Sequence, residues 1–129
     1  MSGGKGNAGC LVIHKDLVLA VQMKDTGKWC LPSGKPMGDE TADETAIRET
    51  FEESGLRVSI KKLLHIFPES GPFYLFEGVL LEEPSCNLEI PLQSKNEIVK
   101  VAFIDFKRIP FREFRFPEAM PIILKLINP

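Results

Sequence analysis

Apolar positions fall into two rhythms along the chain. Between Ala8 and Met23, Cys10-Leu11-Val12-Ile13 and Leu17-Val18-Leu19-Ala20-Val21 are dense apolar runs separated by His14-Lys15-Asp16, a pattern that predicts a hairpin of two strands. Lys24 to Lys28 is polar around Gly27 and reads as a turn, and Trp29-Cys30-Leu31 is a short strand stopped by Pro32. Ser33 to Asp39 has two glycines and a proline and reads as a loop. The rhythm then changes. Thr41 to Ser54 predicts a helix: Thr41 and Glu44 have capping-box spacing, and Gly55 stands where a left-handed cap is expected. Ile47 and Phe51, with Ala46 and Thr50 alongside, mark its expected apolar side.

Further strands are expected over Arg57–Phe67, Phe73–Leu81 and Val99–Phe106, with Gly71-Pro72 as a turn and Glu82 to Lys95 as a loop. Glu118 to Ile127, after Pro117 and with Pro121 early in it, predicts a second helix. The order strands, helix, strands, helix with short connections implies one domain over residues 1–129. Its class is α/β or α+β, with a mixed sheet between helices; periodicity alone leaves those two open.

Composition narrows the function classes. The net charge of −2 gives no electrostatic reason to expect duplex nucleic acid as a partner. An anionic ligand must then be met by local groups or by a bound cation. Cys10, Cys30 and Cys86 are odd in number and widely spaced, which argues against a disulfide framework and a zinc site. No run approaches the roughly 20 apolar residues of a membrane span, and the first ten residues have no apolar core of a secretory signal. A cytoplasmic protein without a membrane partner is expected.

The chemistry concentrates on the first helix. At about 100° per residue, Glu49, Glu52 and Glu53 fall within an arc of about 100° with Glu49 in the middle, while Ile47 and Phe51 point away. Like charges so placed destabilise an isolated helix, but a hard divalent cation turns repulsion into ligation. Metal held this way polarises phosphoryl oxygens and activates water. The bland reading is a solvated ladder of Glu44, Arg48 and Glu52 at i, i+4, i+8, the default for a charged helix.

The wider spacing decides between them. Gly34, five residues, Glu40, seven residues and then Arg48-Glu49-Thr50-Phe51-Glu52-Glu53-Ser54-Gly55-Leu56 is similar to the signature Gly-x5-Glu-x7-Arg-Glu-U-x-Glu-Glu-x-Gly-U of the Nudix hydrolases, where U is a bulky aliphatic. A chance match is on the order of one in a million. The lead-in Trp29-Cys30-Leu31-Pro32-Ser33-Gly34-Lys35 and the strand Gly9–Ile13 also resemble that family, as a small MutT-like member. Thr50 departs from the pattern, which prefers an aliphatic residue there. Gly34-Lys35 lacks the upstream glycine of a P-loop.

The resemblance implies a metal-dependent pyrophosphohydrolase using Mg²⁺ or Mn²⁺. Its substrate would be a small nucleoside diphosphate linked to another moiety: a nucleotide sugar or ADP-ribose, a dinucleoside polyphosphate or a nucleoside triphosphate. By the same resemblance Glu52, Glu53 and often Glu49 are metal ligands, joined by the Ser33 carbonyl. Arg48 and Glu40 are a supporting pair, and Gly34 and Gly55 free the backbone at either end of the loop–helix–loop. The general base is a signature glutamate or Glu97 from a later loop, and Glu97 reads equally well as a plain exposed loop glutamate. Pro72 and Tyr74 have spacings similar to those of ADP-ribose and dinucleoside polyphosphate hydrolases, and each is also explained as a turn or strand residue. A catalytically silent nucleotide-binding module is the alternative; retention of every charged signature position favours the enzyme. A monomer or homodimer is expected. His14, His65, Trp29, Phe73, Phe76 and the basic residues Lys107, Arg108, Arg112 and Arg115 are expected to be structural or solvated.

Overall fold

Two four-stranded sheets with a helix on each face make up the computed structural model, which describes residues 4–128; the ends of the expected span 1–129 lie outside it. The strands are β1 (Asn7–Leu11), β2 (Ile13–His14), β3 (Leu17–Met23), β4 (Trp29–Cys30), β5 (Ser33–Gly34), β6 (Val58–Phe67), β7 (Phe73–Leu80) and β8 (Ile98–Ile104); the helices are α1 (Ala42–Ser54) and α2 (Met120–Ile127). The first sheet runs β5-β1-β7-β6, with β1 and β7 parallel and the other pairs antiparallel. In the second, β3 pairs with β8 along one edge and with β2 and β4 along the other. The expected mixed α+β class holds, with the strands divided between two sheets.

The run Cys10–Ile13 is not one hairpin strand. Cys10 and Leu11 pair with β7, the chain passes across at Val12, and only Ile13 and His14 turn back on β3. Lys15 and Asp16, both at positive φ, make that tight turn. Local patterning favours the nearest partner; the partner that wins for β1 lies far along the chain.

Both faces of the central strands are covered, so β1 and β3 read as continuous apolar runs rather than alternating ones. Ala8, Cys10, Val12, Leu19, Val21 and Phe76 pack under α1 through Ala42 and Ala46. Leu11, Val18, Ala20 and Leu75 pack on the other side against Phe114, Met120 and Ile123.

α1 begins and ends as expected. Glu44 Oε1 accepts from the Thr41 backbone at 2.9 Å within a capping box, and Gly55 caps the other end at φ 77°. Its buried side does not. Ile47 and Phe51 are 36% and 40% exposed, whereas Ala42, Thr45, Ala46, Thr50 and Ser54 are buried. Small residues win this face because they let the helix axis approach the sheet. The buried hydroxyls are satisfied internally: Thr50 donates to the Ala46 carbonyl at 2.8 Å and Ser54 to the Thr50 carbonyl at 2.6 Å. Thr50 therefore fits its unusual position at no unpaired polar group.

Candidate active site

Close docking of α1 brings its acidic edge onto the loop before it. Arg48 is the hub. Its Nε and Nη2 donate to the two Glu40 oxygens at 2.7 and 3.0 Å, its Nη1 to Glu49 and Glu52 at 3.1 Å each, and Nη2 also to the Lys35 carbonyl at 2.7 Å. Glu40 is held further by the Met37 backbone and the Thr45 hydroxyl. Hydrogen bonding to Arg48, reinforced by those two donors, holds the Glu40 carboxyl down at about 2. The solvated ladder of Glu44, Arg48 and Glu52 is thus not what forms: Glu44 caps the helix, and Arg48 reaches back to Glu40.

Glu49 and Glu53, one turn apart, lie side by side within hydrogen-bond reach. Glu53 Oε1 accepts the Ser33 backbone N–H at 3.1 Å. Burial pushes the Glu53 carboxyl up to about 9, the Glu49 charge adds to the rise, and the Ser33 N–H opposes it. Burial raises Glu49 too, against the pull of Arg48.

Gly34 matters here through space. An added Cβ would overlap the Glu49 carboxyl, and its backbone, unlike that of Gly55 at positive φ, is not left-handed. The backbone freedom expected at Gly34 is replaced by a close approach. Because the obstructed group is the end of a flexible side chain, Gly34→Ala should leave the fold intact and displace Glu49. We expect a melting temperature within a few degrees of the parent and a Mn²⁺ affinity lower by about tenfold or more, read by calorimetric titration. Unchanged affinity would mean that Glu49 does not hold the ion.

The three helix glutamates do not converge equally. Among the described residues no three acidic, histidine or cysteine side chains meet at one point as ligands; Glu52 is turned toward Arg48. The touching pair Glu49 and Glu53 still fits a hard divalent cation. Two half-buried carboxylates lie side by side, and three carboxylates share the Arg48 guanidinium while Glu53 has no cation of its own among the described ion pairs, so the cluster lacks positive charge. Mg²⁺ needs only one or two carboxylates and completes its shell with water and phosphate oxygens.

Glu97 lies beyond this pair, close enough for its charge to raise Glu53. Two contacts fix its segment: the Glu97 carbonyl accepts from Lys24 N at 2.8 Å, and Ser94 Oγ donates to the Glu52 carbonyl at 2.7 Å. Ser94 was not foreseeable, since a loop serine carries no signal of which distant carbonyl it will meet. The expected structural roles of other residues hold: Phe76 is buried, His65 packs edge-on against Phe67, and His14 meets Glu83 at 3.1 Å. Arg115 differs. It lines a cleft of about 570 Å³ with Met23, Lys24, Asp25, Asn96 and Glu97, whereas Arg108 and Arg112 pair with neighbouring acids on the surface.

The chain is similar to a known domain family and to several known proteins. The NUDIX domain family matches residues 5–126. A MutT-like protein of Streptomyces ambofaciens is 37% identical over 60 residues, covering 46% of this chain and 39% of that protein. The mRNA-decapping protein g5R of African swine fever virus (isolate Warthog/Namibia/Wart80/1980) is 32% identical over 109 residues, 74% of this chain and 44% of that protein. The chain thus spans under half the length of these curated relatives. A NUDIX hydrolase from Nitrosomonas europaea superposes with a TM-score of 0.78 at 25% identity, over 99% of this chain and 72% of that one. An ADP-ribose pyrophosphatase from Streptococcus suis shares the fold with a TM-score of 0.73 at 22% identity, over 97% and 92%.

Proposed function

Since the chain belongs to the Nudix family, we propose that it is a metal-dependent pyrophosphohydrolase that splits a diphosphate bond in a small nucleoside diphosphate derivative. The observation that carries this reading is the half-buried Glu49–Glu53 pair against the Ser33 amide, backed by Arg48 and Glu40. Glu49 and Glu53 would hold Mg²⁺ or Mn²⁺ with the Ser33 carbonyl, and Glu52 would complete the acidic edge. Once bound, the metal withdraws charge from the phosphoryl oxygens and acidifies water.

The chain's own groups do the remainder. Glu97, whose charge reaches Glu53, would take the proton of the attacking water. Water forms one new P–O bond as the bridging P–O bond breaks, and the products are two phosphates. Arg48 contacts four acceptors within the protein, so its part is to orient Glu49 and Glu52 rather than to touch substrate. Gly55 ends the helix just after Glu53, and Gly34 leaves room for Glu49.

No helix among the described residues is long and apolar enough to cross a membrane, which fits a substrate met in water. The test is phosphate release from ADP-ribose, dinucleoside polyphosphates, nucleotide sugars, nucleoside triphosphates and a capped RNA, the last because of the viral relative's name. Cleavage of at least one compound, dependent on Mg²⁺ or Mn²⁺ and abolished by chelator, is the expected result. Nucleotide binding without cleavage across the panel would favour the silent binding module instead.

A further inference from the structure

The cleft lined by Arg115 carries side chains of both charges. Glu97 and Asp25 are acidic; Lys24 and Arg115 are cationic. A volume of about 570 Å³ suits a small ligand rather than a lone ion. Two contacts tie the rim of the cleft to the Glu49–Glu53 pair. Ser94, just before Glu97, donates its Oγ proton to the Glu52 carbonyl at 2.7 Å. The Trp29 carbonyl that accepts from the Arg115 backbone lies on the short strand leading to Ser33, whose N–H meets Glu53. The Glu97 charge acts on Glu53, and the Cys30 thiol feels both the Glu53 charge and the Arg115 guanidinium. Burial pushes that thiol up to about 12, the Glu53 charge adds to it, and Arg115 pulls the other way.

Arg115 is held there by more than its own side chain. Its backbone N–H donates to the Trp29 carbonyl at 2.9 Å, and Phe114 bridges to Trp29 in parallel register. Phe114 is buried against Phe106, with ring centroids 4.8 Å apart. The backbone at Arg115 is thus anchored in the core. The guanidinium stacks over the Phe116 ring at 5.3 Å, which restrains its plane without using its N–H donors. Among the described residues no carboxylate pairs with it, unlike Arg108 and Arg112.

We propose that Arg115 is a substrate-binding residue that grips the phosphoryl group of the diphosphate lying away from the Glu49–Glu53 pair. The proposal rests on the hydrolase reading for the orientation of the diphosphate, not for the existence of the anion site. A diphosphate presents two phosphoryl groups one bridging oxygen apart. One belongs at the carboxylates with the metal; the other needs a cation of its own, supplied by the protein. A restrained guanidinium fork matches two phosphate oxygens at once, whereas Lys24 on the same rim offers only a point charge. Lys24 then adds attraction, and Arg115 sets the register.

The test uses the whole chain with imidodiphosphate, whose P–N–P bridge resists hydrolysis, and with Mn²⁺ alone. Arg115→Gln should weaken imidodiphosphate binding in the presence of Mn²⁺ by about tenfold or more and leave the affinity for Mn²⁺ alone unchanged. KM for the best panel substrate should rise by a similar factor, with kcat less affected. Arg115→Lys should recover part of the binding. Imidodiphosphate affinity within twofold of the parent would overturn the proposal. So would an equal fall in Mn²⁺ affinity, which would make Arg115 a support of the acidic cluster. If the parent cleaves nothing yet binds imidodiphosphate through Arg115, the anion site stands and the hydrolase reading fails. If the parent cleaves and the glutamine variant matches its KM, the hydrolase reading stands and Arg115 is excluded.

Discussion

Glu53→Gln is expected to lower hydrolysis by about a thousandfold while leaving the fold intact. The amide keeps the size of the carboxyl and retains an oxygen for the Ser33 N–H, which Glu53 engages at 3.1 Å. What it loses is the charge a hard cation needs. A second consequence separates this variant from simple damage. With its carboxyl at about 9, metal-free Glu53 keeps its proton in the native state long after the unfolded chain has released it near 4.5. The raised value means that its contribution to stability is intact below about pH 4.5 and drains away as pH climbs toward about 9. Glutamine has no proton to lose. In chelator the variant should match the parent in acid and melt at a higher temperature in mild alkali, the gap widening with pH. Mg²⁺ should narrow that gap by stabilising the parent only, since binding expels the proton. Melting curves from pH 5 to pH 9, with and without Mg²⁺, decide it. A parent as active as the variant, or a gap that closes with rising pH in chelator, would remove Glu53 from the metal site.

Arg48→Ala should destabilise the protein by about 2–3 kcal/mol and reduce turnover by about a hundredfold. The guanidinium is about one-fifth exposed, so the loss falls short of that for a fully buried pair. Three separate effects add. Glu40 loses a two-point partner, the Lys35 carbonyl loses its donor, and Glu49 and Glu52 are freed to drift. Arg48→Lys keeps the charge but offers no fork, and an intermediate effect is expected. Acid provides the control. Because Arg48 holds Glu40 at about 2, the pair's stabilisation is present above about 4.5 and lost as pH falls toward about 2. Urea titrations at pH 7 and pH 3 should therefore show a large difference between parent and Ala variant at the first and a smaller one at the second. A difference that stays constant with pH would mean that the Glu40 clamp contributes nothing.

What the sequence made legible was local or tied to a fixed spacing. Thr41 and Glu44 announce the start of α1 and Gly55 its end, because capping depends on residues three or four apart. The Glu40–Arg48 pairing follows from a motif whose spacing is preserved residue by residue. The apolar side of α1 was misread because size, not hydrophobicity, selects it: Ala42, Thr45, Ala46 and Thr50 are buried so that the helix can lie close, and Ile47 and Phe51 are left at the rim. The division of Cys10–Ile13 between two sheets depends on β7, which no local window contains. Arg115 looked like one more surface cation beside Arg108 and Arg112. Only the pairing of Phe114 with Trp29 places it at the cleft, and that contact joins distant stretches of chain.

The passage of the chain from β1 across Val12 into β2 and β3 bears on how the molecule folds. Those few residues serve both sheets, and their partners β7 and β8 are made from the second half of the chain. The first sheet cannot close before Phe73–Leu80 arrives, nor the second before Ile98–Ile104. Long loops must therefore be closed before either sheet gains its central pairing, which favours slow, all-or-none folding over stepwise growth from the N-terminus. During synthesis on a ribosome, the early strands could form their local pairs with one another but would lack their central partners until Ile98–Ile104 had emerged.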